Sequence, residues 1–180
     1  VRSGNQGFGL AGRALITRVR LWLPKPWRPV LGYLDLERKM AETGIHTPSA
    51  QQIFDWICDI RRAKLPDPAV IGNAGSFFKN PIVSHEQRQV IAAHHPALVA
   101  YPLAGQRYKL AAGWLIEAAG LKGATRGQAG VYERQALVLV NRGGRENPCT
   151  GGEVMTLAKA IQTSVYERFG IRLEPEPVVI

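Results

Sequence analysis

The decapeptide GNAGSFFKNP, residues 72–81, constrains the fold more than any other stretch of the chain. Its two glycines indicate a sharp backbone bend and room for the close approach of another group, because glycine has no Cβ. Adjacent aromatic residues need burial, so Phe77 and Phe78 are predicted to anchor the bend in a core. Two interpretations stay open: a structural turn, or a turn that presents Ser76 for chemistry.

Common catalytic motifs do not account for Ser76. The chain has no G-x-S-x-G elbow and no histidine close in sequence to activate the hydroxyl, so a serine hydrolase is disfavoured. The GNAG run is neither a phosphate-binding loop, since no G-K-[ST] follows, nor a dinucleotide fingerprint. Pro175 and Pro177 flank Glu176, which suits either a carboxylate held in place or a solvated edge strand. Lys64, directly before LPDP, likewise suits either a functional side chain held in place or an ordinary solvated one.

Composition and charge narrow the class of protein. The 180 residues are 46% apolar, which is enough for the core of one domain, or of one domain and part of another. The charge of +9 comes from scattered basic residues, which favours a solvated basic surface or an anionic small-molecule ligand over nucleic acid. The cysteines and histidines show no metal-ligand spacing, so we expect reduced thiols, no metal and a cytoplasmic protein.

Hydrophobic periodicity predicts an α+β protein. Apolar patterning predicts a half-buried strand over residues 13–23 and a buried strand over residues 136–141. Helical spacing and capping signals predict four helices, over residues 48–63, from Ser84 to Pro96, over residues 110–119 and from Val154 to Gly170. The residues after this last helix are predicted to be extended. The elements show no regular β-α-β alternation, which argues against an α/β fold.

Six stretches are distinctive when they are taken together and in order. They are LPKPWRPVLGYLDL (23–36), KLPDP (64–68), GNAGSFFKNP (72–81), KLAAGWLIEAAGLKG (109–123), RQALVLVN (134–141) and LEPE (173–176). In this order they closely resemble the UDP-N-acetylenolpyruvoylglucosamine reductases, the MurB family, in the variant that has a tyrosine loop, here at Tyr33. The resemblance runs from residue 13 to the end of the chain, and GNAGSFFKNP is highly specific to the family.

The resemblance implies a bacterial cytoplasmic flavoenzyme of peptidoglycan precursor synthesis. Its reaction reduces UDP-N-acetylglucosamine enolpyruvate, a vinyl ether, to UDP-N-acetylmuramate. NADPH first reduces FAD; a hydride then passes to the terminal vinyl carbon, and an acid protonates the adjacent carbon. The resemblance also implies no nucleic-acid or membrane partner, and a monomer.

Three catalytic roles follow from the resemblance. Ser76 corresponds to the proton donor, and Glu176, the second acid of LEPE, corresponds to a group that stabilises charge near the substrate carboxylate. Arg2 aligns by gap-free counting with an active-site arginine, although the usual aspartate is missing and GNQGFG replaces a polar stretch. A serine hydroxyl is a very weak acid, so its role requires a strongly basic intermediate within hydrogen-bond reach.

Four further positions match substrate contacts of the family. Tyr33 and Lys64 correspond to contacts with the nucleotide and the diphosphate, for which lysine is a suitable point charge. Asn80 is expected to turn its amide toward the substrate. Gln135 matches another substrate contact.

The family holds FAD mainly on a preceding domain, so no FAD-binding residue is assigned in this chain. Residues 1–63 are expected to be the C-terminal part of that domain, with the end of its antiparallel sheet, the tyrosine loop and a helix. Residues 64–171 are expected to form a mixed α+β substrate-binding domain, and residues 172–180 to lead back toward the first domain. We expect the chain to be a fragment that binds FAD weakly and is inactive alone. The alternative is a nucleotide-sugar binding module without redox activity, which would need neither the serine nor the glutamate.

Overall fold

The computed structural model describes residues 17–144 and 146–178. The chain divides into two compact units, Val1–Ala50 and Gln51–Ile180. No helix in the described ranges is long and apolar enough to cross a bilayer.

The strand predicted over residues 13–23 is wrong for the part that the structure describes. Residues 17–23 have no regular structure and are exposed, with 74% of Leu21 and 79% of Leu23 accessible to solvent. A strand persists when neighbouring strands take up its backbone hydrogen bonds. No described residue pairs with this segment. Its apolar alternation therefore does not produce a strand here.

The first unit contains a helix that the sequence patterns did not reveal. In α1, Leu34–Thr43, the carbonyl oxygen of Tyr33 accepts hydrogen bonds from the backbone N–H groups of Leu36 and Glu37. Gly44 ends the helix in the left-handed conformation, with φ 68°. Among the residues of α1, Leu36 alone is buried, which explains why hydrophobic spacing gave no signal.

The predicted helices are confirmed, with ends that differ by a few residues. They are α2, Ala50–Lys64; α3, His85–His94; α4, Ala112–Ala118; and α5, Gly151–Phe169. The predicted capping box opens α3, since the Ser84 hydroxyl accepts from the Gln87 backbone and the Gln87 side chain accepts from the Ser84 backbone. The break between the two units falls at the start of α2, whereas the expected domain boundary at residues 63–64 lies at its end.

Seven short strands form two antiparallel sheets in the described part of the chain. They are β1, Asn73–Ser76; β2, Ile82–Ser84; β3, Ala100–Leu103; β4, Arg107–Leu110; β5, Thr125–Arg126; β6, Ala129–Val131; and β7, Val138–Asn141. One sheet has the order β1-β7-β6-β5 and the other the order β2-β4-β3. β7 confirms the predicted buried strand. Antiparallel sheets with separate helices confirm the α+β class.

The main core lies in the second unit, where α4 and α5 contribute several of the fully buried side chains. Leu115, Ile116, Ile161 and Val165 are fully buried there. Burial of one such side chain stabilises the fold by about 1.5–3 kcal/mol. This packed core supports the strands and the helix end that carry the candidate site.

Candidate active site

The segment GNAGS is a bulged strand rather than the predicted sharp turn. β1 pairs with β7 so that Asn73 lies opposite Val140 and Ser76 lies opposite Val138. The chain advances three residues along β1 and only two along β7 between these pairs, so β1 contains one extra residue, which defines a β-bulge. Gly75 occupies the bulge with φ 74°, a left-handed value that most other residues adopt only at a cost.

A side chain that sequence reasoning missed closes this bulge. The Oδ1 atom of Asn73 accepts a hydrogen bond from the backbone N–H of Gly75 at 3.0 Å. Its Nδ2 atom donates to the carbonyl oxygen of Ile71 at 2.9 Å. The spacing Asn-x-Gly is typical of such an Asx turn, and it is the signal in the sequence that could have identified Asn73.

The bulge decides which face of the sheet carries Ser76. Side chains alternate along a strand, so one extra residue moves every later side chain to the opposite face. Ser76 therefore shares a face with Val138 and Val140, the pair that packs with Tyr132 against Leu65. Ser76 is exposed, and its hydroxyl has no hydrogen-bond partner among the described residues.

Both phenylalanines anchor the strand, as predicted. Phe77 and Phe78 are 6% and 1% exposed, and their rings meet edge to face with centroids 5.1 Å apart. The backbone N–H of Phe77 donates to the carbonyl oxygen of Leu137 at 2.8 Å, so the pairing with β7 resumes beyond the bulge. The residue that precedes Phe77 is thus held by buried aromatic packing.

The end of the chain runs antiparallel to the residues that follow Ser76. The backbone N–H of Glu176 donates to the carbonyl oxygen of Phe77 at 2.8 Å, and that of Lys79 donates to the carbonyl oxygen of Glu174 at 2.9 Å. Lys79 and Glu174 also form an exposed ion pair of 3.4 Å, which contributes little stability by itself. The two backbone bonds bring the carboxylate-bearing Glu176 beside the strand end that carries Ser76.

Asn80 has a structural partner. Its Oδ1 atom accepts a hydrogen bond of 2.9 Å from the backbone N–H of Ala112, the first residue of α4. Ala111 occupies the N-cap position of α4 and has no side chain that could accept this bond. Asn80 therefore satisfies a helix-end donor from a distant part of the chain. The amide nitrogen of Asn80 has no partner among the described residues, so it is available for the predicted contact with the substrate.

Gln135 lies at the same end of α4. Its Oε1 atom accepts from the backbone N–H of Leu137 at 3.4 Å, and a Cβ added to Gly113 of α4 would lie 3.1 Å from that oxygen. Its carbonyl oxygen accepts from the backbone N–H of Val138 at 3.0 Å, and Val138 is the residue opposite Ser76. Gln135 is thus connected to both α4 and β7.

Lys64 ends α2 next to the turn that carries Gln135. Arg134, in that turn, donates to the carbonyl oxygen of Ala63 at 3.4 Å. Leu65 packs against the cluster that contains Val138. Lys64 therefore lies between two contacts to the segment around β7.

The ion pair between Glu133 and Arg142 holds the turn that contains Arg134 and Gln135. Glu133 accepts a hydrogen bond of 2.7 Å from Arg142. The pKa of Glu133 lies below its ordinary value of 4.5, because its own backbone N–H and then the Arg142 guanidinium bond to the carboxylate. Both side chains are partly exposed, so the pair orients the turn more than it stabilises the fold.

The second unit thus brings together five of the seven predicted site residues. Through β1, β7 and the start of α4 it connects Ser76, Glu176, Asn80, Gln135 and Lys64. Tyr33 belongs to the first unit, and Arg2 lies outside the described residues. The roles of all seven residues stay predictions.

The described surface around Ser76 does not by itself fit an FAD. A bound small molecule usually has about 70–90% of its surface buried. Ser76 and Glu176 are both exposed, so neither side chain lies in an enclosed cradle. Two clefts of about 380 Å³ and 340 Å³ occur in the described chain, and neither includes Ser76 or Glu176.

Comparison with known proteins identifies a family. The family model for the C-terminal domain of UDP-N-acetylenolpyruvoylglucosamine reductase matches residues 67–180. Relatives named UDP-N-acetylenolpyruvoylglucosamine reductase come from Bordetella pertussis, Paraburkholderia phymatum and Azoarcus sp., with 56%, 55% and 56% identity to this chain. The alignments cover 94%, 93% and 94% of this chain and 47%, 48% and 48% of the relatives. The chain therefore spans about half the length of the curated relatives it matches.

Proposed function

Because the chain belongs to the UDP-N-acetylenolpyruvoylglucosamine reductase family, we propose that it supplies the substrate-binding and proton-donating part of such an enzyme. The reaction is the reduction of UDP-N-acetylglucosamine enolpyruvate to UDP-N-acetylmuramate in the bacterial cytoplasm. FAD, bound by parts of the full-length protein beyond the residues described, would supply the hydride, which would come from NADPH. The enzyme acts as a monomer. Residues 1–63 complete its flavin domain, residues 64–171 form its substrate-binding domain, and residues 172–180 lead back to the flavin domain.

The proton step is the part of the reaction that this chain performs. Hydride addition to the terminal vinyl carbon leaves an electron pair on the adjacent carbon, which the neighbouring carboxylate delocalises. The Oγ–H bond of Ser76 breaks as its proton passes to that carbon and completes the lactyl ether. Water then reprotonates the serine oxygen. No base beside Ser76 is needed, because the carbanion-like intermediate is itself a strong base.

The observation that carries this proposal is the pairing of the chain end with the residues after Ser76. Glu176 donates its backbone N–H to Phe77, the residue after Ser76, so an exposed carboxyl group and an exposed hydroxyl group from distant parts of the second unit lie on adjacent backbone segments. The Ser76 hydroxyl has no competing partner among the described residues, which leaves it available to a ligand. Glu176 stabilises the charge that develops at the substrate carboxylate.

Other site residues hold the nucleotide sugar. Lys64 offers a point charge to the diphosphate, and Gln135 lies at the start of α4 with a side-chain amide that can bind a sugar. Asn80 contributes its amide nitrogen, since its oxygen bonds to α4. Tyr33 contacts the nucleotide, and Arg2 assists Glu176 at the substrate carboxylate.

The test is turnover by the full-length protein loaded with FAD. We expect NADPH to be consumed only when UDP-N-acetylglucosamine enolpyruvate is present, and UDP-N-acetylmuramate to appear in equal amount by mass spectrometry. Tight binding of the nucleotide sugar without NADPH consumption would instead support the alternative, a binding module without redox activity. Absence of both binding and turnover would refute the proposal.

A further inference from the structure

We propose that Asn73 is a positioning residue for the proton transfer from Ser76, a role that rests on the proposed function. Asn73 uses both ends of its side-chain amide inside the bulge. The oxygen accepts from Gly75 at 3.0 Å, and the nitrogen donates to Ile71 at 2.9 Å. One side chain therefore fixes the backbone on both sides of itself, directly before Ser76.

These two bonds matter because the bulge selects the face that carries Ser76. A ladder without the extra residue would turn Ser76 to the opposite face, that of the buried Leu139. Gly75 by itself does not specify the bulge, since glycine adopts left-handed and right-handed conformations with similar ease. Asn73 therefore supplies the constraint that keeps the Ser76 side chain on the face of Val138 and Val140.

A purely structural role is the competing explanation, and the chain contains a matched control for it. Asn141, at the end of β7, closes a similar turn, in which its Oδ1 accepts from the backbone N–H of Gly143 at 2.8 Å and of Cys149 at 3.3 Å. No predicted site residue follows Asn141 in that loop. Asn141→Ala removes an equivalent side-chain bond but keeps the backbone hydrogen bond from Asn141 to Gly72, so we expect Ser76 to keep its position.

The test compares the two half-reactions of the full-length protein loaded with FAD by stopped-flow absorbance. A displacement near 1 Å at a reacting group costs about a hundredfold in rate, so we expect Asn73→Ala to slow flavin reoxidation by the substrate about 10- to 100-fold. Flavin reduction by NADPH should stay within about twofold, because Asn73 acts on the proton donor alone. Asn73→Asp keeps the acceptor for Gly75 and should recover most of the rate. Asn141→Ala should leave reoxidation unchanged.

Two further readouts separate positioning from general damage. In the Ser76→Ala background, Asn73→Ala should have no additional effect on reoxidation, because a positioning residue acts through the group that it places. Hydrogen exchange needs no turnover: in Asn73→Ala the amide of Gly75 should exchange about tenfold faster or more, since it loses its acceptor. The amide of Phe77, bonded to Leu137, should stay protected.

The contrary results distinguish failure of the positioning role from failure of the proposed function. If Ser76→Ala slows reoxidation but Asn73→Ala does not, the positioning role is wrong and the proposed function stands. Equal slowing by Asn141→Ala, additive effects in the double variant, or unchanged exchange at Gly75 also overturns the positioning role. If the wild-type protein does not reoxidise with substrate, the proposed function fails and the positioning role fails with it.

Discussion

Replacement of Asn80 separates its structural role from its proposed role at the substrate. Asn80→Ala leaves the backbone N–H of Ala112 without its acceptor at a partly buried helix end. Loss of a capping side chain costs about 1 kcal/mol, and a buried donor left unpaired costs about 1–3 kcal/mol. We therefore expect the free energy of unfolding to fall by about 1.5 kcal/mol.

Asn80→Asp is the informative partner variant. Its carboxylate can still accept from Ala112, and a negative charge is favourable at a helix N-terminus, so stability should stay within about 0.5 kcal/mol of wild type. Both variants lose the amide NH₂ group, so both should bind the nucleotide sugar about tenfold more weakly if that group contacts the ligand. Asn147→Ala, in an exposed loop, is the control for both measurements.

The assays are urea unfolding and titration calorimetry of the full-length protein. If Asn80→Asp loses as much stability as Asn80→Ala, the cap at α4 is not what Asn80 provides. If Asn80→Asp binds the substrate as tightly as wild type does, the amide nitrogen does not contact it. The two results are independent of each other, so each role is tested separately.

Two further predictions concern the supports of the fold. In Gly143→Ala the new Cβ would clash with the backbone carbonyl oxygen of Asn147. We therefore expect this variant to lower the free energy of unfolding, measured by urea titration, by more than about 2 kcal/mol. The control is Gly144→Ala, whose Cβ meets open space and which should change the free energy of unfolding by less than about 0.5 kcal/mol. The pKa of Glu153 lies below its ordinary value of 4.5, because the backbone N–H of Thr150 donates a hydrogen bond to the carboxylate. The ionised carboxylate therefore stabilises the fold at pH values above 4.5, and this stabilisation is lost as the pH falls through the lower pKa of the folded state. Urea midpoints of wild type and Glu153→Gln should therefore differ at neutral pH and converge in acid, and a constant difference would contradict this.

The sequence predicts those elements that carry a local signal. The capping box at Ser84, the glycine that ends α5 and the apolar run of β7 are each encoded within a few residues, and all three are confirmed. The strand predicted over residues 13–23 fails in its described part because strand formation depends on a partner that apolar alternation cannot guarantee.

The candidate site likewise combines local features that the sequence predicts with long-range features that it does not. Local sequence indicates a special backbone at GNAGS and burial of Phe77, but it does not show that one extra residue turns the bend into a bulge. That outcome depends on the register with β7, which is set by pairing over a long distance in sequence. The bond from Asn80 to Ala112 and the pairing of Glu176 with Phe77 are likewise long-range. No pattern in a single sequence reports them.

The most direct test of the central claim, that Ser76 delivers the proton, is the pair of half-reactions in Ser76→Ala of the full-length protein. Reduction of the flavin by NADPH should proceed at the wild-type rate, and reoxidation by UDP-N-acetylglucosamine enolpyruvate should slow by about three orders of magnitude or more, within the range typical for a lost general acid. Ser76→Cys, which keeps a group able to donate a proton, should lose less. Wild-type rates for both half-reactions in Ser76→Ala would show that another group is the acid.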